Sequence, residues 1–487
     1  SEAAYKKNIS NDVSYYAFKE MKGITFYDVN NITIEFTKSL KTDKLLDADY
    51  LNYIENTYTH FYNLNCQIVS SQSFIRQYHW RPFWRKVTYN QQLNWLTLSY
   101  KDGERVTEDF KPDIIINTDN DEIGRSVLRE IAHRKKIPFI TIEYPRYEYF
   151  KTFSYDLGLT MATPLRLAYN NYLRGADSNL TNEYNYIKDF RSKGHIMSNM
   201  YQNDITSQYK PESIYKSIKH LIFVFLLLFK QDFVAGNYSV RKSNNVLFPS
   251  NSQYFIYFLH WHFYRQLLMR KNKFFESPVE GEKYVYMPLH LIPESSTSVL
   301  APFYINELHV IEAVSKSLPA GWYLYVKEHQ SMIGERGIDF YKRVKQLPNV
   351  RLVQINYYSD PKPWIEKSQG VVTITGTSAY EAALLGKHAC LFSDVIFSCI
   401  DGIHRVHSFE ELPIIFKEFG KPLDNIKSCA SYIKTVIEFG EPVDLKYLLR
   451  TLPNTIINKE DLNDKQLENI DNIEKIIIKA YNSYYNQ

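Results

Sequence analysis

The apolar positions change period several times along the chain, and each change predicts an element. "GITFYDV" (23–29), "NCQIVSS" (65–71) and "KPDIIINTD" (111–119) are short β-rich runs that read as strands, with Pro112 marking the entry of the third. "DEIGRSVLREIAHRKK" (121–136) spaces its apolar residues as a helix does, and "IPFITIEYP" (137–145) is a strand again. Strand, helix and strand in that order predict a βαβ unit on a parallel sheet. From about Thr160 to Lys273 the pattern is helical, polar and aromatic. A second alternation opens at "KYVYMPLHL" (283–291), with helices near 305–318, 340–346 and 361–368 separated by the strands "WYLYVKEH" (322–329) and "VRLVQI" (350–355).

This predicts an α/β protein of two Rossmann-like domains facing a central cleft, with a helical connector. The expected boundaries are 1–210 for the first domain, 211–278 for the connector, 279–440 for the second domain and 441–487 for C-terminal helices. Ligands are expected at the carboxyl ends of the strands.

The stretch "GVVTITGTSAYEAALLGKHACLF" (370–392) shows where one would sit. Val371 to Thr375 read as a buried strand and Ala379 to Leu385 as a helix closed by Gly386. Gly376 permits a turn that a side chain would obstruct, and Thr377 or Ser378 can cap the helix, whose free N–H groups favour a phosphate. A purely structural reading is equally open: Ser378 and Glu381 have capping-box spacing, in which the glutamate does no more than reach back to a backbone N–H.

Other polar groups gather just past strand ends. His290 and Glu294 follow one strand, Lys327 and His329 end the next, and Glu143 ends a strand of the first domain. Each has a bland alternative. A strand-end histidine is often a structural hydrogen-bonder, a lysine is often simply solvated, and Glu143 can pair with Arg146 or Arg125 on the surface. Together they make a cleft with cationic groups for a phosphate on one side and carboxylates for nucleophilic or acid/base work on the other.

Composition narrows the class without naming it. A net charge of +4 over 487 residues gives nucleic-acid binding no support. Cys66, Cys390, Cys399 and Cys429 lack zinc-ligand spacing and suit a reduced, cytoplasmic protein. The polar start "SEAAYKKNISND" does not read as a signal peptide. "LIFVFLLLF" (221–229) is about half of what a bilayer-spanning helix needs. Around it lie Lys210, Lys216, Lys219 and Lys230, then "YFIYFLHWHFYRQLLMRKNK" (254–273) with its own basic residues. A connector with its apolar face packed between domains is the first expectation, and a helix on an anionic membrane surface the second.

The series "YVYMPLHLIPESSTS", "LPAGWYLYVKEHQ", "LPNVRLV" and "VVTITGTSAYEAALLGKHACLF", over Tyr284 to Phe392, resembles the bacterial capsule polysaccharide biosynthesis family, which includes the β-Kdo glycosyltransferases. Kdo is 3-deoxy-D-manno-oct-2-ulosonic acid. A fainter echo is "IPFITIEYPRYEYFKTFSYDLG" in the first domain. The resemblance implies a GT-B glycosyltransferase with its donor nucleotide in the C-terminal domain. His329, with Thr377 and Ser378, would hold the nucleotide phosphate and Glu381 the ribose; Gln330 stands where the family usually has proline. It further implies retention through a carboxylate nucleophile, for which Glu294 is the candidate, with Glu143 as acid/base across the cleft; Asp119 and Asp121 are alternatives.

The leading expectation is therefore a glycosyltransferase of capsule or lipopolysaccharide assembly, using a CMP-linked donor such as a ulosonic acid. No cofactor or metal is expected, since cations and a helix end can stabilise the leaving phosphate. The expected partners are a nucleotide sugar, an oligosaccharide or glycolipid acceptor and an anionic membrane surface, on the inner face of the bacterial cytoplasmic membrane. Two rivals stand: a polymerase transferring an alcohol phosphate from a CDP carrier, and a non-catalytic glycan-binding protein.

Overall fold

The computed structural model describes residues 42–70, 88–117, 123–155, 161–175, 179–196, 213–229, 251–271, 274–292, 294–355, 357–358, 360–452 and 462–485, with short pieces at 5–7, 16–18, 35, 38–39, 232–235 and 238–241. The strand expected at 23–29 and the alternatives Asp119 and Asp121 lie outside the described residues.

Helices α1 (Ala48–Tyr58), α2 (Leu64–Ser70) and α3 (Tyr89–Phe110) come first. Helix α2 occupies the stretch expected as a strand at 65–71. Asn63 Oδ1 accepts from the Cys66 N–H at 2.8 Å, and Leu64, Gln67 and Ile68 are buried three and four residues apart. A run this short fits either period, and the asparagine cap decides for the helix.

Strand β1 (Ile115–Asn117), helix α4 (Ile123–Lys135) and strand β2 (Phe139–Glu143) form the expected unit, with β1 and β2 parallel. Strand β3 (Phe150–Ser154) turns back antiparallel on β2. The first sheet is therefore mixed rather than wholly parallel. Helices α5 (Thr163–Arg174), α6 (Thr181–Ser192), α7 (Ile214–Leu226) and α8 (Asn251–Lys271) follow.

The second domain is built on β4 (Lys283–Pro288), β5 (Trp322–Lys327), β6 (Val350–Val353), β7 (Val371–Thr373), β8 (Ala389–Leu391) and β9 (Ile403–Arg405), in the order β6-β5-β4-β7-β8-β9 with every pair parallel. This is the doubly wound order, and its direction reverses between β4 and β7. Both faces are covered. Tyr284 and Tyr286 of β4 enter one apolar cluster with Trp364 and Ala379, while Val285 and Met287 enter a second with Val310 and Tyr341. Such continuous burial explains why the strands read as unbroken apolar runs. Its helices are α9 (Ser295–Ser298), α10 (Glu307–Ser317), α11 (Ile338–Lys345), α12 (Lys362–Glu366) and α13 (Ser378–Leu384).

The C-terminal segment returns to the first domain. Helix α14 (Ile426–Phe439) packs on α5 and α6, and Tyr432 donates to the Pro145 carbonyl at 2.8 Å. Strand β10 (Glu441–Pro442) pairs antiparallel with β3, and α15 (Asp464–Tyr485) lies on β2 and β3.

The connector departs from the first expectation. Helix α7 buries only Ser217 and Val224, while Tyr215, Ile222 and Leu226 are 73%, 56% and 54% exposed. Its apolar face is open because α7 packs on α8 through a narrow stripe that includes polar residues. Among the described residues no helix is long and apolar enough to cross a membrane.

Candidate nucleotide site

The switch point between β4 and β7 is held by His290, two residues past β4. Its backbone is fixed at both ends: the N–H donates to Glu307 Oε1 at 2.7 Å, and the carbonyl accepts from Arg336 Nη2 at 3.0 Å. Its Nε2 accepts from the Ile374 N–H at 3.1 Å and lies 2.9 Å from Thr373 Oγ1, which in turn accepts from the Gly376 N–H at 3.1 Å. Burial, with His329 and Arg336 nearby, pushes the His290 pKa down to about 3. The ring is neutral and ties the end of β4 to the turn after β7, which is the structural alternative foreseen for a strand-end histidine. A Cβ on Gly376 would overlap Thr373 Oγ1 and stand 3.2 Å from His290 Cε1. Gly376 is needed for that close approach.

The end of β5 alternates sides. Lys327 is 8% exposed, and burial lowers its pKa to about 8 against the attraction of Asp360 and Glu381. The solvated alternative for Lys327 therefore fails. Glu328 points the other way and accepts from the His329 N–H at 2.7 Å, Arg336 Nε at 2.9 Å and the Tyr341 hydroxyl at 2.8 Å. Arg336 also pairs with Glu307, and the two carboxylates keep the buried guanidinium charged. One cation thus braces the loops that carry His290 and His329.

His329 Nδ1 accepts from the Ser331 N–H at 3.2 Å, which puts the proton of the neutral ring on Nε2. Burial, Arg336 and Lys327 lower its pKa to about 4, so it offers a fixed neutral donor.

The turn after β7 does not form the side-chain cap. Thr377 is the cap residue of α13, with helical backbone (φ −56°, ψ −25°) and no side-chain cap bond, and Ser378 is already the first helical residue. The capping box expected of Ser378 and Glu381 is therefore not formed, because a residue inside the helix cannot cap it. Ser378 Oγ and Thr375 Oγ1 are buried without hydrogen-bond partners. Glu381 is pushed up to about 7 by burial and by Asp360, with Arg146 and Lys327 pulling the other way.

Arg146 comes from the other domain. It has φ 69°, and Glu148 two residues on has φ 43°, so the turn after β2 holds two non-glycine residues in left-handed geometry. The bond from Tyr432 to the Pro145 carbonyl clamps that turn, and its charge reaches Glu381.

The structure thus gathers His290, Lys327, His329, Gly376, Thr377, Ser378 and Glu381 around one switch point. The two candidate carboxylates have their own settings. Glu294 is exposed on the loop after β4, its carbonyl starting α9 and its Oε2 accepting from Ser296 Oγ at 3.0 Å. Glu143 is fully buried and accepts from Ser154 Oγ at 2.6 Å, so it is not a surface carboxylate. Sequence reasoning missed Glu307, Glu328, Arg336 and Asp360. Arg336 meets its partners from 8 and 29 residues away, a relation that no local spacing displays.

No protein-family model and no curated protein matches the chain. Among solved structures it is similar to the Thermosulfurimonas dismutans KpsC beta Kdo 2,7 transferase, at 8% identity over 68% of this chain and 80% of that one, with a TM-score of 0.30. It is also similar to the UDP-GlcNAc 2-epimerase of Methanocaldococcus jannaschii, at 13% identity over 73% and 84% of the two chains, with a TM-score of 0.26. The S. aureus MnaA–UDP structure aligns at 13% identity over 73% and 80%, with a TM-score of 0.27. At such TM-scores the likeness adds nothing to the sheet order and the site geometry, which stand on the chain's own residues.

Proposed function

We propose that the chain is a glycosyltransferase that moves a sugar from a CMP-activated donor, a ulosonic acid such as Kdo, to an oligosaccharide or glycolipid acceptor of capsule or lipopolysaccharide assembly. One observation carries the reading. At the switch point of a doubly wound sheet, a buried ammonium (Lys327) and a neutral imidazole donor (His329) accompany two buried hydroxyls, Thr375 and Ser378, that find no partner within the protein. A phosphate supplies acceptors for all of them. Glu381, its pKa raised to about 7 by burial and Asp360, suits the ribose hydroxyls.

In this reading Glu294 attacks the anomeric carbon as the bond to the CMP phosphate breaks, and CMP leaves with the bonding pair. Lys327 and His329 bind the departing phosphate. The acceptor hydroxyl then displaces Glu294 and gives up its proton. In this reading Glu143, whose carboxylate is buried beside Ser154, is the candidate to take that proton.

Mass spectrometry of product after incubation with CMP- and UDP-sugars tests the reading. Sugar on the acceptor together with free CMP supports it. CMP release with an alcohol phosphate transferred supports the polymerase, and no nucleotide binding supports a glycan-binding protein.

A further inference from the structure

Helix α7 leaves most of its apolar residues outside and buries only Ser217 and Val224. Beside Val224, its inward side carries polar groups: Ser217 Oγ accepts from Gln266 Nε2 of α8 at 3.2 Å, and His220 Nδ1 meets His262 Nε2 of α8 at 2.9 Å. Its outward face carries Tyr215, Ile218, Ile222 and Leu226, each more than half exposed. Helix α8 continues the face with Ile256, Leu259 and Phe263, a stripe at helical spacing that is 50%, 44% and 61% exposed. A helix surrounded by water turns its serine and histidine outward and its isoleucines inward. This one is arranged for an apolar phase outside.

The charges on the face identify that phase. Lys216 and Lys219 are exposed on α7, and Lys219 stands among the outward apolar residues, one position from Ile218 and three from Ile222. Against a second copy of the chain its ammonium would be pressed into apolar surface. At a bilayer its stem can lie along the acyl boundary while the head reaches a lipid phosphate.

We propose that the α7–α8 face docks on an anionic lipid bilayer, lying in the interface with Lys216 and Lys219 at the headgroups. The opposite side of α8 is fixed to the nucleotide domain. A Cβ on Gly334 (φ +92°) would stand 2.8 Å from the Trp261 carbonyl, and the Tyr257 hydroxyl donates to Glu335 at 2.6 Å. Arg336, the next residue, braces His290 and His329. Docking therefore sets the orientation of the candidate nucleotide site relative to the bilayer, where a lipid-linked acceptor is presented. The docking stands without the glycosyl-transfer reading, and its test uses no nucleotide.

The full chain is floated with vesicles of phosphatidylglycerol and phosphatidylethanolamine, and separately with phosphatidylcholine alone. The expected result is co-flotation with the anionic vesicles that weakens as salt rises. Ile222→Ser with Leu226→Ser should lower it at least about tenfold. Lys216→Glu with Lys219→Glu should abolish the preference for anionic lipid while the circular dichroism stays unchanged. Absent flotation, or flotation indifferent to both double substitutions, overturns the proposal. So does a dimer in light scattering that the Ile222/Leu226 substitution dissolves, which assigns the face to a second copy.

Discussion

His290 and Thr373 meet at 2.9 Å across the switch point, and the hydroxyl of Thr373 in turn fixes the N–H of Gly376. Since a Cβ at 376 would overlap that hydroxyl, Gly376→Ala should destabilise the protein by about 1–3 kcal/mol through overpacking alone. Removing the obstruction should recover part of the loss. In a double-mutant cycle by chemical denaturation, Gly376→Ala with Thr373→Ala should therefore be more stable than the two single effects sum to. Strict additivity would mean that the turn does not rest on Thr373.

Ser378→Ala separates a ligand contact from a helix cap. Because Ser378 Oγ makes no hydrogen bond in the protein, its loss should change stability by no more than about 0.5 kcal/mol. Affinity for CMP should fall about tenfold, or about 1.4 kcal/mol. A loss of about 1 kcal/mol in stability with unchanged affinity would restore the cap.

The carboxyl of Glu381 gives a pH signature. Its pKa of about 7 lies above the usual carboxylate value, so the folded protein holds more protons than the unfolded chain between about pH 4.5 and 7. Stability from this group is present below that window and is lost as pH rises through it, by at most roughly 3 kcal/mol. Glu381→Gln should melt higher than the wild type at pH 8 and no higher at pH 4.5, while binding CMP more weakly at both. Parallel melting curves across the range would remove the buried-carboxyl account.

Arg146 is strained and charged, and the two properties can be parted. Arg146→Gly should relieve a left-handed backbone and raise stability by about 0.5–1 kcal/mol, while CMP affinity falls with the lost cation. A variant both less stable and equally tight in binding would mean that the arginine serves only the turn.

Much of the second domain was legible because its strands are buried on both faces and each is followed by a helix with its own period. The glycine at 376 was also legible, since a turn between such a strand and helix must pass close to neighbouring backbone. Helix α2 was not, because seven residues of mixed apolar character have no decisive period and Asn63 settles the matter. The Ser378–Glu381 spacing fits a capping box, yet the helix starts one residue earlier than that motif requires, with Ser378 already inside it. The Glu307–Arg336–Glu328 brace joins residues from three separate elements, and the open face of α7 depends on what packs on it.

The central claim is that Lys327 and His329 hold a nucleotide phosphate. Calorimetric titration of CMP into the wild type, Lys327→Met and His329→Ala tests it most directly, with circular dichroism confirming each fold. A phosphate contact of this kind contributes about 1.5–3 kcal/mol, so either substitution should weaken binding by roughly ten- to a hundredfold. A wild type that does not bind CMP, or folded variants that bind it as tightly as the wild type, would contradict the account.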